Sequence, residues 1–427
     1  MANEGVLTKC ALKCQSNKID KSEETVGEIA VTCDDTTKSK ELAEPVVALV
    51  ANFNVSSRCD SCAMNQKYIL LISDVDVNKS LFDAKARDNL TEPFIFLREE
   101  CQKMGYKVEA ADRQALKDVA WILFWDASSV LRWRGAKGFL RRVRYGFPRR
   151  SRNWLKAVQR GGATNRMALF LWEAPAVRPE NWDPEFYGQF STVFSWNDNI
   201  VDGVRIHKFH LPIPLNVPFV EKIGFFSKKL LINISMNKFS TYPHELYSAR
   251  REAIRYFENA RPNDFDLYGV GWDGPGVGLS KWALLGADRR STPYKTYRGT
   301  VRHKWDVLPK YRFALCYENV CNQPGCITEK IFDCMRAGCV PIYLGAPNIT
   351  DYVDPAAFID RRKFKSNQEL ENYISGISEP QYEQFLEAMA IYLASDRFKA
   401  FLSPAFCRTV VKALGIDQSS CNVSPVP

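Results

Sequence analysis

Apolar and polar positions along the chain fall into blocks that switch between two periods. Residues 311–317, YRFALCY, form an apolar and aromatic run with β character. Thr328 is a good N-cap for a short helix with the apolar stripe Ile331, Cys334 and Met335. Gly338 ends that helix, and 340–344 is a second apolar run closed by Gly345. Strand, loop, helix, strand is a βαβ unit, whose two strands are parallel neighbours. The same rhythm starts near residue 68. A strand at 68–73 is followed by a helix capped by Thr91, with Pro93 in its first turn and the stripe Phe94, Leu97, Cys101, Met104. Strands at 106–110 and 121–125 flank a short helix at 115–119, and further strands are expected at 167–172, 192–196 and 204–209. A proline-rich stretch at 212–218 reads as a linker. Beyond it come a strand at 229–235, a helix at 245–258 and a strand at 265–269. The pattern predicts an α/β protein with Rossmann-like domains at 64–215 and 216–427. Two C-terminal helices brace them, one with a capping box at Ser378 and Gln381, the other opened by Ser403-Pro404. Residues 1–63 are polar without a sustained period and are expected to be a disordered tail.

Composition narrows this modestly. The chain has 427 residues, room for two domains, and a formal charge of +9 that suits an anionic ligand without choosing among nucleotide, nucleic acid and membrane. No run reaches transmembrane length, and the first fifteen residues lack a signal-peptide core. Thirteen cysteines, five of them between Cys316 and Cys339 in buried-looking positions, fit a reducing compartment better than a disulfide framework. The expected location is cytoplasmic and membrane-associated, with the Golgi lumen as the alternative if a native anchor is missing. Six N-x-S/T sequons would matter only in that lumen; Asn233, in a strand, and Asn348, beside the candidate site, look like poor acceptors.

Ligands of parallel sheets bind at the carboxyl ends of the strands. That edge carries Glu318, Asn319, Thr328, Glu329 and Lys330. A helix N-terminus with a lysine in its first turn suits a phosphate, and a carboxylate beside it suits a neutral diol such as a ribose. A sugar nucleotide satisfies both. The competing explanation is a solvated Glu–Lys pair that complements the helix dipole. Glu173 follows the apolar run 167–172 and precedes Ala174-Pro175, which puts a second carboxylate at a ligand edge. Other features are weaker. Asp74-Val75-Asp76 imitates a metal-binding D-x-D, and Cys10, Cys14, Cys59 and Cys62 imitate a zinc site with an overlong gap. His207 and His210, three apart in one strand, would face opposite ways. From Arg132 to Arg160 the chain is basic and aromatic with no acidic residue, which fits nucleic acid, an anionic membrane surface or a solvated helix. The favoured reading is a surface for acidic glycan or lipid headgroups, without nucleic acid.

The runs YRFALCYEN, ITEK and AGCVPIYLGAPN resemble the signature of the α1,3/4-fucosyltransferases, in outline from Lys67 to Leu414. The resemblance implies a metal-free GT-B fold, two Rossmann-like domains facing across a cleft. It implies inverting transfer of L-fucose from GDP-fucose to a glycan hydroxyl, the 3-OH of GlcNAc or glucose being the expected target. It also implies Glu173 as general base, Arg250 (or Arg251) and Lys330 at the diphosphate, Glu329 at the ribose, and Tyr317 and Asn319 lining the pocket. Where that family has an aromatic residue two positions before the Thr of T-E-K, this chain has Cys326. Another nucleotide sugar, or a basic docking protein built on residues 132–160, is the alternative.

Overall fold

A computed structural model of the chain describes residues 67–73, 81–84, 86–110, 119–127, 150–218, 220–274 and 293–416. The expected tail, Asp74 and Asp76, the four N-terminal cysteines, residues 115–118 of the helix expected at 115–119 and the basic residues 132–149 lie outside the described residues, and Val119 opens a strand instead. Residues 64–427 form one unit. Within it two parallel sheets, of six and five strands, carry the α/β fold.

The first sheet comprises β1 (Lys67–Ile72), β2 (Tyr106–Ala110), β3 (Val119–Trp125), β4 (Met167–Leu171), β5 (Thr192–Ser195) and β6 (Ile206–Lys208), in the order β2-β1-β3-β4-β5-β6. Strands β3 and β4 read as near-continuous apolar runs because both faces of a parallel sheet are covered. Helix α1 (Glu92–Lys103) buries Phe94, Leu97 and Cys101 on one face, and helix α2 (Arg150–Arg160) sinks Leu155 and Val158 into the core on the other. The C-terminal end of the basic stretch is therefore partly a structural helix. Thr91 does not cap α1 through its side chain; its hydroxyl donates instead to the Asp83 carbonyl.

The second sheet comprises β7 (Lys229–Ile234), β8 (Phe265–Tyr268), β9 (Tyr311–Tyr317), β10 (Val340–Leu344) and β11 (Ile359–Asp360), in the order β11-β10-β9-β7-β8. Its helices include α3 (Tyr247–Ala260), α4 (Glu329–Arg336), α5 (Asn367–Gly376) and α6 (Glu379–Ala394). The order reverses between β7 and β9, so the loops leaving these two strands diverge and open a crevice at the sheet's carboxyl edge.

The final helix, α7 (Ser403–Ala413), crosses back to the first half. Its Phe406, Cys407 and Val410 pack with Phe94, Phe170 and Phe209 of the first half, as a bracing helix does. The Trp121 indole also donates to the Leu414 carbonyl at 2.9 Å. An amphipathic stripe announces that a face is buried but not what buries it. The crossing near Pro212 is likewise pinned: the Ile213 N–H donates to the Phe401 carbonyl at 2.7 Å, and the Ser403 N–H to the Ile213 carbonyl at 3.1 Å.

The loop from β9 to α4 plugs into the first half. Val320 and Cys326 join its hydrophobic core, and Asn197 Nδ2 donates to Gln323 Oε1 at 2.6 Å. Gly325 makes the approach possible. It has φ +78°, and a Cβ there would lie 2.3 Å from the Trp196 carbonyl oxygen. Asp198 completes the join, accepting from Lys208 Nζ, Asn348 Nδ2 and the Tyr352 hydroxyl at 2.6, 3.0 and 2.7 Å. His210 lies beyond β6, not in it, and packs 4.4 Å from the Phe401 ring. Asn233 is buried and donates to the Leu315 carbonyl.

Candidate functional site

The carboxyl end of β9 and the start of α4 close on each other through Glu318. Its carboxylate accepts from the Thr328 N–H at 2.8 Å, from the Thr328 hydroxyl at 2.8 Å and from Lys330 Nζ at 3.2 Å. Thr328 is the N-cap expected, with its side chain facing the Lys330 N–H. Glu318 is 0 % exposed. A Cβ at Gly345 would lie 2.5 Å from its Cγ, so the turn after β10 must be glycine for the carboxylate to fit. Glu318 was expected among the donor contacts at an open edge; it lies beneath that edge and fastens it. Three donors arranged around a buried carboxylate explain this, since a carboxylate is an acceptor-only group.

Lys330 is half-buried. Burial alone would lower its ammonium, but Glu318 and Glu329 outweigh that and hold it well above its ordinary value. Glu329 is the carboxylate of the first turn that faces outward, its side chain 37 % exposed and 3.7 Å from Lys330 Nζ. Burial pushes Glu329 up, yet the Lys330 and Lys304 ammoniums win and keep it below the usual carboxylate range.

Arg250 and Arg251 separate cleanly. Arg250, 4 % exposed on α3, donates through Nη2 to the Tyr317 carbonyl at 2.6 Å and the Glu318 carbonyl at 3.1 Å. Its guanidinium thus sits at the end of β9, and burial pulls it below its ordinary value. Arg251 turns to the loop after β7, donating to the Lys238 carbonyl at 2.6 Å over the Phe239 ring. Asn319 is half-buried, and its carbonyl accepts from the Leu246 N–H ahead of α3. Tyr317 is buried, its phenol pushed up to about 12 by burial, and it lines a cavity of about 170 Å³ with Ala249, Glu252, Leu344, Arg361 and Asn367. Cys326 is 2 % exposed and sits in the joint between the halves, where it offers no surface for stacking.

Glu173 comes from the other half, just past the end of β4. Its N–H donates to Asp126 at 3.2 Å, and its carbonyl accepts from the Trp182 indole at 2.9 Å, so the backbone on both sides of its side chain is fixed. The Glu173 charge raises Lys238 and Tyr247 of the second half. The Ser240 hydroxyl donates to the Ala176 carbonyl at 3.0 Å and fastens the loop after β7 to the segment after Glu173.

Two residues of this region escaped the sequence reading. Lys238 follows β7 at the same carboxyl edge. Burial lowers its ammonium, Glu173 pulls it back up, and Lys330 and Arg250 lower it further. Asp126 follows β3 as Glu173 follows β4. A charged residue directly after an apolar strand run was the signal for Asp126. Among the described residues no group of three His, Cys, Asp or Glu side chains is placed to hold a metal ion.

Residues 290–419 match the family model described as glycosyltransferase family 10 (fucosyltransferase) C-term. The chain is 39 % identical over 77 residues to an α-(1,4)-fucosyltransferase of Arabidopsis thaliana, covering 18 % of this chain and 19 % of that protein. It is 37 % identical over 86 residues to GDP-fucose protein O-fucosyltransferase 3 of Xenopus laevis, covering 19 % of this chain and 18 % of that one. These matches span about a fifth of the relatives' length. A crystal structure of an α1,3-fucosyltransferase with GDP overlays with a TM-score of 0.46 at 13 % identity, covering 85 % of this chain and 94 % of that one. The matched segment holds β9, the Thr328 cap, α4 and β10, so the similarity to the fucosyltransferases of glycosyltransferase family 10 falls on residues 290–419, which include the capped start of α4.

Proposed function

We propose that the protein moves L-fucose from GDP-fucose to a hydroxyl of an acceptor glycan with inversion at the anomeric carbon. One observation carries this reading: Arg250 and Lys330 both bond to Glu318 at the end of β9 beside the capped start of α4, Lys238 follows β7 at the same edge, and Glu173 follows β4 of the other half. The cations and the helix N–H groups take up the charge that grows on the diphosphate as its bond to the sugar breaks. Glu173 takes the proton from the acceptor hydroxyl as the oxygen attacks the anomeric carbon from the opposite side. Glu329, the outward carboxylate of the first turn, accepts from the ribose hydroxyls. With cations supplied by the protein, no divalent metal is needed in this scheme, and turnover should persist in EDTA.

The acceptor is the finer question. The 3-OH of GlcNAc or glucose is the proposed target. The similar proteins named above include an α-(1,4)-fucosyltransferase and a protein O-fucosyltransferase, so a panel must hold all three acceptor types. The first experiment needs no acceptor: GDP release from GDP-fucose is measured beside UDP- and ADP-sugars. Release from GDP-fucose alone supports the reading. Turnover of a different nucleotide sugar, or of none, overturns it.

A further inference from the structure

Past the end of β3 the chain turns sharply at Asp126, which has φ +45°, a left-handed conformation that asparagine and aspartate tolerate best among residues with a side chain. Asp126 is buried, and its carboxylate is surrounded by donors. The Trp172 N–H reaches Oδ1 at 3.1 Å, the Glu173 N–H reaches Oδ2 at 3.2 Å, and Asn181 Nδ2 reaches Oδ1 at 2.8 Å. Asn181 closes the ring by accepting from the Ala127 N–H at 3.3 Å. Two of the donors are the backbone of the residue proposed as general base and of its neighbour.

We propose that Asp126 is a positioning residue for Glu173: its carboxylate clamps the exit of β4, so that the Glu173 side chain is aimed into the crevice. The inference rests on the reading of Glu173 as base. Every partner around Asp126 is a donor, so only an acceptor-only side chain satisfies them all. An asparagine would present an NH2 group to one of these donors and loosen the ring. With its N–H and its carbonyl both held, Glu173 keeps only its side-chain rotations, which is what alignment on a hydroxyl demands.

The clamp also responds to pH. Burial, and after it the negative charge of Glu173, push the Asp126 carboxyl up to about 7, against the pull of Arg178 and of the two backbone N–H bonds. Near neutrality Asp126 therefore takes up a proton. A protonated carboxyl turns an O–H toward a donor and gives up one bond of the ring, so turnover should fall on the acid side with a midpoint near 7.

The test is Asp126→Asn, which keeps the size and the tolerance of positive φ. Fucose transfer to water, read as GDP release from GDP-fucose, is followed against pH, with GDP affinity by calorimetry and the folded fraction by circular dichroism on the same preparation. The expected result is unchanged GDP affinity, turnover per folded molecule down by about 10–100-fold, and loss of the acid limb near 7. Unchanged turnover with the limb intact overturns the proposal, as does a loss of turnover that only tracks the folded fraction. If the asparagine variant does not fold, Asn181→Ala opens the ring from its far side. A lower turnover with a displaced acid limb and normal GDP affinity supports the clamp, and an unaltered profile overturns it. Glu173→Gln, run in parallel, reports on the parent reading: full turnover there removes Glu173 as base and Asp126 with it. A chain that releases no GDP from GDP-fucose overturns the functional reading itself.

Discussion

Glu318 and Lys330 meet inside the protein, with the Lys330 ammonium 3.2 Å from a carboxylate that is fully withdrawn from solvent. The pair ties the last residue position of the β9 edge to the first turn of α4, and Thr328 bonds both partners. It holds the helix N-terminus open toward the crevice while spending part of the lysine's charge on the protein itself.

Glu318→Gln should therefore separate stability from binding. The amide still accepts from the Thr328 N–H but leaves Lys330 with only Glu329 as a counter-charge. The expected loss is about 1.5–3 kcal/mol, the worth of a hydrogen bond to a charged group, read from the urea midpoint. GDP should bind the folded variant at least as tightly as it binds the native chain, because Lys330 is freed for the phosphates. Unchanged stability would show that the pair contributes nothing.

Lys238→Ala should do the reverse. Lys238 stands among like charges, and burial already disfavours its ammonium. Its removal should leave stability within about 0.5 kcal/mol of the native chain or raise it. GDP affinity should drop by about tenfold or more, as expected when a charge-assisted phosphate contact is lost. Calorimetry giving equal affinities would remove Lys238 from the diphosphate site.

These two cases mark what was legible in the sequence. The strands and the α4 cap were, because parallel strands are apolar throughout and Thr328 directly precedes a periodic stripe. The edge at Glu318 to Lys330 was found too, but not which of its carboxylates faces out. That depends on Gly345, a residue of the neighbouring strand's exit, leaving space for Glu318. What Asp126 grips was illegible for a similar reason: its partners are backbone N–H groups 46 and 47 positions away, and backbone groups leave no mark on composition or period. The return of α7 to the first half has the same origin, since Phe406 and Val410 would suit either core.

Asp266 predicts the acid behaviour of the second half. It accepts from Lys229 at 2.7 Å, Arg298 at 2.7 Å and the Tyr311 hydroxyl at 2.6 Å. Burial pushes its carboxyl up, but these partners outweigh burial and hold it below the usual range. A depressed carboxyl contributes stability that is present above its unfolded value of about 3.9 and is lost as pH falls through the folded value. Asp266→Asn should lower stability at neutral pH and flatten the decline below about pH 4. Urea titrations at a series of pH values check this. An equally steep acid decline in the variant would assign it to other carboxylates.

Glu173 carries the chemical half of the reading. Its backbone is held by Asp126 and by the Trp182 indole, so the side chain is presented rather than tethered by its own hydrogen bonds. Glu173→Gln preserves the shape and removes the proton acceptor. If the carboxylate takes the acceptor's proton, turnover should fall by about 10²–10⁴-fold, the usual worth of general-base catalysis, while GDP affinity stays near native because the donor half is untouched. A purely structural Glu173 would give the opposite result, a lower melting temperature with normal turnover per folded molecule. Stability of the variant should in fact change little, since the bonds that fix residue 173 run through its N–H and carbonyl, which glutamine retains. Turnover and melting temperature measured on one preparation decide the matter, and a folded glutamine variant with near-native turnover would end the role of Glu173 as base.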